Sequence, residues 1–205
     1  MTIGILTASY ITSSVLFILA LGGLSNQEKA KRAVWYGIVG MVIAVVATIF
    51  GNKVFLTEWL NWLIGAMVAG SLIGTIVAKK VQMTGMPQLV AALHSFVGLA
   101  AVFIGINSSL LPHTEMSSSQ LMIHNVEVFI GVFIGAITFT GSIVAFGKLS
   151  EIVTGKALIL PGRHALNFIM FLSCLVLGYL FLNHDGNWTL IAMTLIAFII
   201  GAHLV

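Results

Sequence analysis

Residues 88–111 read QLVAALHSFVGLAAVFIGINSSLL, twenty-four positions without one Asp, Glu, Lys or Arg. As an α-helix, rising 1.5 Å per residue, the stretch extends about 36 Å. That is enough to cross a hydrocarbon core of about 30 Å. Six comparable runs accompany it, so that apolar segments cover roughly 3–24, 34–51, 59–78, 88–111, 125–147, 165–183 and 188–205. Each is continuously apolar, whereas the strands of a membrane barrel alternate with a period of two. The pattern predicts an all-α fold: one transmembrane domain over residues 1–205, a bundle of about seven helices.

Composition excludes the alternative solvent. The chain is 59% hydrophobic and 7% charged, with a mean hydropathy of +1.11. A soluble domain carries about 25% charged residues, because its surface must be hydrated. Nine Lys/Arg and six Asp/Glu cannot coat a 205-residue globule. The net charge of +3 does not point to nucleic acid, because the basic residues sit in short loops between apolar runs; the partner it implies is membrane lipid. The one cysteine, Cys174, lies inside a run, so no disulfide forms within the chain. The first run has no basic residues before it and no small-residue cleavage site after it, and is expected to be a retained helix.

Loop charge predicts the orientation. Lys29, Lys31 and Arg32 follow the first run, Lys79 and Lys80 the third, and Lys148, Lys156 and Arg163 the fifth; only Lys53 falls on the other side. Basic loops stay cytoplasmic, which places the N-terminus outside. Trp35, Trp59, Trp62 and Trp188 fall at span ends, the interfacial level that amphipathic rings prefer. The seventh run ends at Val205 without a polar anchor, and we expect the chain to be a fragment of something longer.

Small residues mark where helices can approach closely in lipid. The second run carries Gly37, Gly40, Ala44 and Gly51; the third carries Ala66, Gly70, Gly74 and Ala78; the fifth carries Gly131 and Gly135, continued by Thr138 and Ser142. These are expected packing positions. His94 is the sharper signal. It lies about 10 Å inward from Pro87 along the helix, and its 3.6-residue face includes Ala91, Gly98, Ala101 and Gly105. That spacing predicts a side chain directed into the bundle. An ionisable group at such depth suggests an ion or proton pathway, and an imidazole loads and releases a proton near neutrality. The alternative is a neutral ring hydrogen-bonded to a carbonyl. Glu127 opens the fifth run on the stripe of Gly131, Gly135, Thr138 and Ser142, which would suit a hydrated half-channel; the alternative is a carboxylate hydrated from outside. His124 is placed in the loop before it, within reach of Glu127. His113 and His184 read as outer-loop residues and His164 as inner-loop. His203 lies in the last run, two residues from Val205, and its role depends on the helices of the longer protein. Asn107 and Asn167 read as interfacial or interhelical hydrogen-bonding groups. No cluster of histidines or cysteines has metal-ligand spacing, and no glycine-rich phosphate loop comes after a strand; neither a metal nor a nucleotide site is expected in this chain.

The segment Ala78–Val90, with Lys79, Lys80, Gly85, Met86 and Pro87, running on into Leu93, His94, Ser95, Phe96, Val97 and Gly98, resembles the β subunit of proton-translocating NAD(P) transhydrogenase. So do Glu127–Ala136, Thr138–Ser142, Val144–Lys148, Leu160–His164 and Gly201–Val205. The resemblance implies an enzyme of the bacterial inner membrane that moves hydride from NADH to NADP⁺, driven by inward proton movement. It implies a β subunit of about nine helices followed by an NADP(H)-binding domain, with NAD(H) bound by an α subunit. This chain would supply the first seven helices and no catalytic or cofactor-binding residue. Its partners would be the α subunit and the rest of the β subunit, in a dimer of the complete enzyme. His94 then matches the family's intramembrane histidine, tied to proton translocation and gating, and Glu127 and Ser142 match polar positions near the proton path. Some relatives carry carboxylates where this chain has Gln82, Gly85 and Gln88, so a coupling role for acids there does not carry over. The family's second Met-Pro segment, with an asparagine facing the histidine, lies in helices this chain lacks.

Overall fold

The computed structural model describes residues 3–24, 26, 28–51, 58–112, 116–156, 162–183 and 187–205. Lys53, His113 and His184, expected in outer loops, lie outside them, as does Pro161. Among the described residues are seven α-helices and no strand: α1 (Ile3–Leu24), α2 (Ala30–Gly51), α3 (Leu60–Lys80), α4 (Met86–Leu110), α5 (Ser118–Leu149), α6 (Arg163–Asn183) and α7 (Trp188–Leu204), with a 3-10 turn at Met83–Gly85. The first six are long and apolar enough to cross a membrane; α7, with 17 residues, is apolar but shorter.

Local chemistry sets the ends. Pro87 stands in the first turn of α4, where its missing N–H has no partner to lose and its fixed φ suits the helix. α5 begins seven residues before the expected 125 and runs for 32 residues. Ser117 starts it: its hydroxyl accepts from the Gln120 N–H at 3.4 Å, and Gln120 Oε1 accepts from the Ser117 N–H at 2.9 Å. This reciprocal capping box satisfies two donors that the first turn would otherwise leave open.

The chain divides into two compact units, residues 1–80 and 81–205. In the first, α1 packs on α2. Ser13 Oγ donates to the Gly40 carbonyl at 2.7 Å, and the Tyr10 and Thr48 hydroxyls lie 3.0 Å apart. A Cβ on Gly40 would sit 3.2 Å from Leu16 Cβ and one on Gly37 3.6 Å from Ala20 Cβ, so the α2 stripe is an α1 contact. The stripe on α3 is not used in this way. No residue of α3 is buried, and a Cβ on Gly70 or Gly74 would meet nothing within 4 Å. Small residues permit close approach without naming the helix that makes it, and neither α1 nor α2 packs on this face.

In the second unit α4 packs on α5, α5 on α7, and α6 on α7. Val132, Ala136, Leu190, Met193 and Ala197 are fully buried at the centre, joined by Val102, Val128, Cys174, Phe181 and Ile200. In lipid such a core gains little from leaving water, and its cohesion comes from dispersion between well-fitted side chains.

Candidate functional site

Four contacts fix the antiparallel register of α4 and α5. Gln88 Nε2 donates to the Leu149 carbonyl at 2.9 Å, and Ser108 Oγ lies 3.2 Å from His124 Nε2 at the opposite end. Between them, Gly98 faces the backbone of Gly135 and Phe139, and Gly105 faces Val132. A Cβ on Gly98 would fall 2.6 Å from Phe139 N and 2.7 Å from the Gly135 oxygen; one on Gly135 would fall 2.8 Å from the Gly98 oxygen. Here two helices meet backbone to backbone, and only glycine allows it. Gly98 and Gly135 are thus contact positions. Gly131, one turn from Gly135, is not: a Cβ there meets nothing within 4 Å.

This register puts His94 at the height of Gly141 and Ser142. His94 lies eight residues into a 25-residue helix, about 12 Å from its start, well inside the apolar span. Its direction differs from the expectation. The buried stripe of α4 is Ser95, Gly98, Val102 and Gly105, and His94 stands on its shoulder with the side chain exposed. At 100° per residue, His94 and Ser95 sit on opposite sides of the line through Gly98 and Gly105. The contact with α5 is centred nearer Ser95, which is buried and returns its hydroxyl to the Ala92 carbonyl at 2.7 Å. Among the described residues of this unit the His94 imidazole has no hydrogen bond and no covering helix.

Ser142 lies seven residues beyond Gly135 on the α4-facing stripe and is half-buried. With Thr138 and Gly141 it lines a groove of about 330 Å³, whose other wall is Gly201, Leu204 and Val205 of α7. The structure therefore brings His94 and Ser142 to one height on adjacent helices. Glu127 is fifteen residues before Ser142, about 22 Å along α5, and its side chain is exposed. It belongs to the end where Ser108 meets His124, which lies within α5 and not in a loop.

Two participants were not singled out in the sequence. Gly201 of α7 packs so tightly on α5 that a Cβ would collide with Thr140 Oγ1 and the Ile137 carbonyl; a lone Gly in an apolar run announces no partner. Lys148 Nζ donates to the carbonyls of Val205 at 2.7 Å and Lys156 at 3.3 Å, tying α5 to Val205 and to the segment after α5. No group of three or more His, Cys, Asp or Glu placed to hold a metal occurs among the described residues. The arrangement brings hydroxyls and one imidazole to one height, with one carboxylate about 22 Å away along α5.

The family described as NAD(P) transhydrogenase beta subunit matches residues 6–205. The protein named NAD(P) transhydrogenase subunit beta from Rhodospirillum rubrum is 41% identical over 204 residues, covering 98% of this chain and 43% of its own length. A sequence of the same name from one defined strain of that organism matches to the same extent. The chain thus spans about two fifths of the length of these curated relatives.

Proposed function

The chain belongs to the NAD(P) transhydrogenase beta subunit family, and from that membership we propose that it is the proton-translocating membrane part of such an enzyme. In the complete protein, inward proton movement would be coupled to hydride transfer from NADH to NADP⁺. The observation that carries the reading is His94: an imidazole well inside an apolar span, next to a rigid glycine contact, on a flank that no helix of its own unit covers. Ionisable side chains inside a membrane are costly and mark ion or proton routes.

In this mechanism Glu127 collects protons at the Ser108–His124 end, and His94 takes them up at the height of Ser142. The Ser142 hydroxyl, able both to donate and to accept, orders water in the groove beside α7. Protonation of His94 adds a charge to a flank that further helices of a full-length subunit would cover, biasing those helices between two arrangements. Linkage makes the effect reciprocal: if nucleotide state alters the helices, it alters the affinity of His94 for its proton. NADP(H) and NAD(H) are held outside this chain, the first on the remainder of the β subunit and the second on an α subunit, in a dimer of the whole. Gly70, Gly74 and Gly131, open here, are contact positions for those further helices.

The proposal is tested with the full-length enzyme in sealed proteoliposomes carrying an internal pH dye. Reverse hydride transfer is expected to change internal pH, and a protonophore to abolish the change while accelerating turnover. Hydride transfer with no pH change in tight vesicles would overturn it.

We place the loops bearing Lys29–Arg32, Lys79–Lys80 and Lys148–Arg163 on the cytoplasmic face of a bacterial inner membrane, by the bias of basic residues. In a Cys174→Ser background, Lys31→Cys, Lys79→Cys and Lys156→Cys are expected to react with an impermeant maleimide only in inside-out vesicles. Glu58→Cys is expected to react in intact cells. The reverse pattern rejects the orientation.

A further inference from the structure

Away from His94, the second unit buries polar atoms that nothing satisfies. Both ring nitrogens of His203 on α7 and Oδ1 of Asn167 on α6 have no solvent access and no hydrogen-bond partner among the described residues. In a neutral imidazole one nitrogen donates and the other accepts, and the amide oxygen only accepts. Native interiors leave few such groups unmet, so each one needs a physical reason.

The two residues sit at one height. α6 ends at Asn183 and α7 starts at Trp188, and the two pack against each other. Asn167 is sixteen residues before that turn and His203 fifteen residues after it, about 24 Å and 22 Å along their helices. Asn167 continues the buried stripe of α6, at seven, eleven and fourteen residues from Cys174, Gly178 and Phe181. His203 comes after Met193, Ile196 and Ile200, the flank of α7 that joins the same core, at ten, seven and three residues. Deeper in that interface polar groups are answered: the Thr194 hydroxyl donates to the Leu190 carbonyl at 2.7 Å. Among the described residues of α6 and α7, the groups closed off and unmet lie toward Arg163.

Atoms without accessible surface leave no room for water beside them, and the two nitrogens of one ring point in different directions, so no single partner serves both. The unmet bonds can be made if α6 and α7 part at this height by about one layer of water. We propose that α6 and α7 form a polar gate at Asn167 and His203 that opens to admit water while the Cys174–Met193 core stays closed. The gate stands independently of the His94 reading and uses none of its residues. Its ligand is water, and its driving force is the unmet hydrogen bonding of the imidazole and the amide.

The test uses the full-length enzyme in native membranes with Met170→Cys as reporter, one turn inward from Asn167, and native Cys174, 2% exposed, as the closed control. A trimethylammonium methanethiosulfonate reacts only through water. It is expected to modify position 170 about tenfold faster than Cys174 or more, as local opening requires. Adding Asn167→Leu and His203→Leu together is expected to slow position 170 to the rate of Cys174. If position 170 is as slow as Cys174 at the outset, or equally fast with and without the leucines, the gate is refuted. Should the double change prevent assembly, Asn167→Leu alone gives the same comparison with a partial slowing expected, and no slowing refutes the gate.

Discussion

A Gly98→Ala variant of the full-length subunit is expected to lose a large part of its stability. The added methyl would sit 2.6 Å from Phe139 N and 2.7 Å from the Gly135 oxygen. Both are backbone atoms in the middle of a helix, and neither can rotate away. α4 and α5 must part by several tenths of an ångström along the most extensive interface in this unit. Overpacking of this kind costs about 1–3 kcal/mol where neighbours can adjust, and here the neighbours are backbone. Gly201→Ala is expected to match it, because its Cβ collides with the Ile137 carbonyl as well as with Thr140. Gly65→Ala, on α3, meets open space and gains about 0.5–1 kcal/mol of helix propensity. Thermal unfolding in detergent, followed by size-exclusion recovery, separates the two classes. Equal melting of Gly98→Ala and Gly65→Ala would remove the backbone contact from the account.

His94→Ala is expected to behave in the opposite way, keeping the fold and losing the work. The imidazole is exposed and has no hydrogen bond among the described residues, so its removal costs the second unit little packing. Proton-coupled hydride transfer in the complete enzyme should fall to about a tenth or less, because no other titratable group lies at that height on α4 or α5 to accept the proton. Leu and Asn at position 94 should be equally impaired, and Lys should be locked in the charged arrangement. The decisive combination is a normal melting temperature with absent coupling. Near-wild-type coupled turnover in His94→Ala would exclude the residue from proton transfer.

How far the fold could be read depended on what each signal encodes. Uninterrupted apolar length encodes a crossing helix with little ambiguity, and each expected span has its helix. Ends were read less well. Ser117 and Gln120 form a capping box that was present in the sequence, but they lie among polar residues that resemble a loop, and α5 was expected to start at 125. Directions were read least well. Periodicity placed His94 on the side of Gly98 and Gly105, yet the buried line runs nearer Ser95, and an error of one residue in 3.6 turns a facing side chain into a flanking one. Gly131 and Gly135 carry the same four-residue signature, and only Gly135 touches α4. The unmet polarity at Asn167 and His203 needs the pairing of α6 with α7 to become visible at all.

Where α4 and α5 touch at Gly98 and Gly135, main chain lies on main chain with no side chain as padding. Interfaces of that kind do not deform gradually; the pair moves as a single girder or not at all. A small displacement produced beside His94 would therefore reappear, as tilt, at Gln88 and Leu149 on one extremity and at Ser108 and His124 on the other. Mechanically, the glycines would convert a local change of charge into leverage at both margins of the membrane.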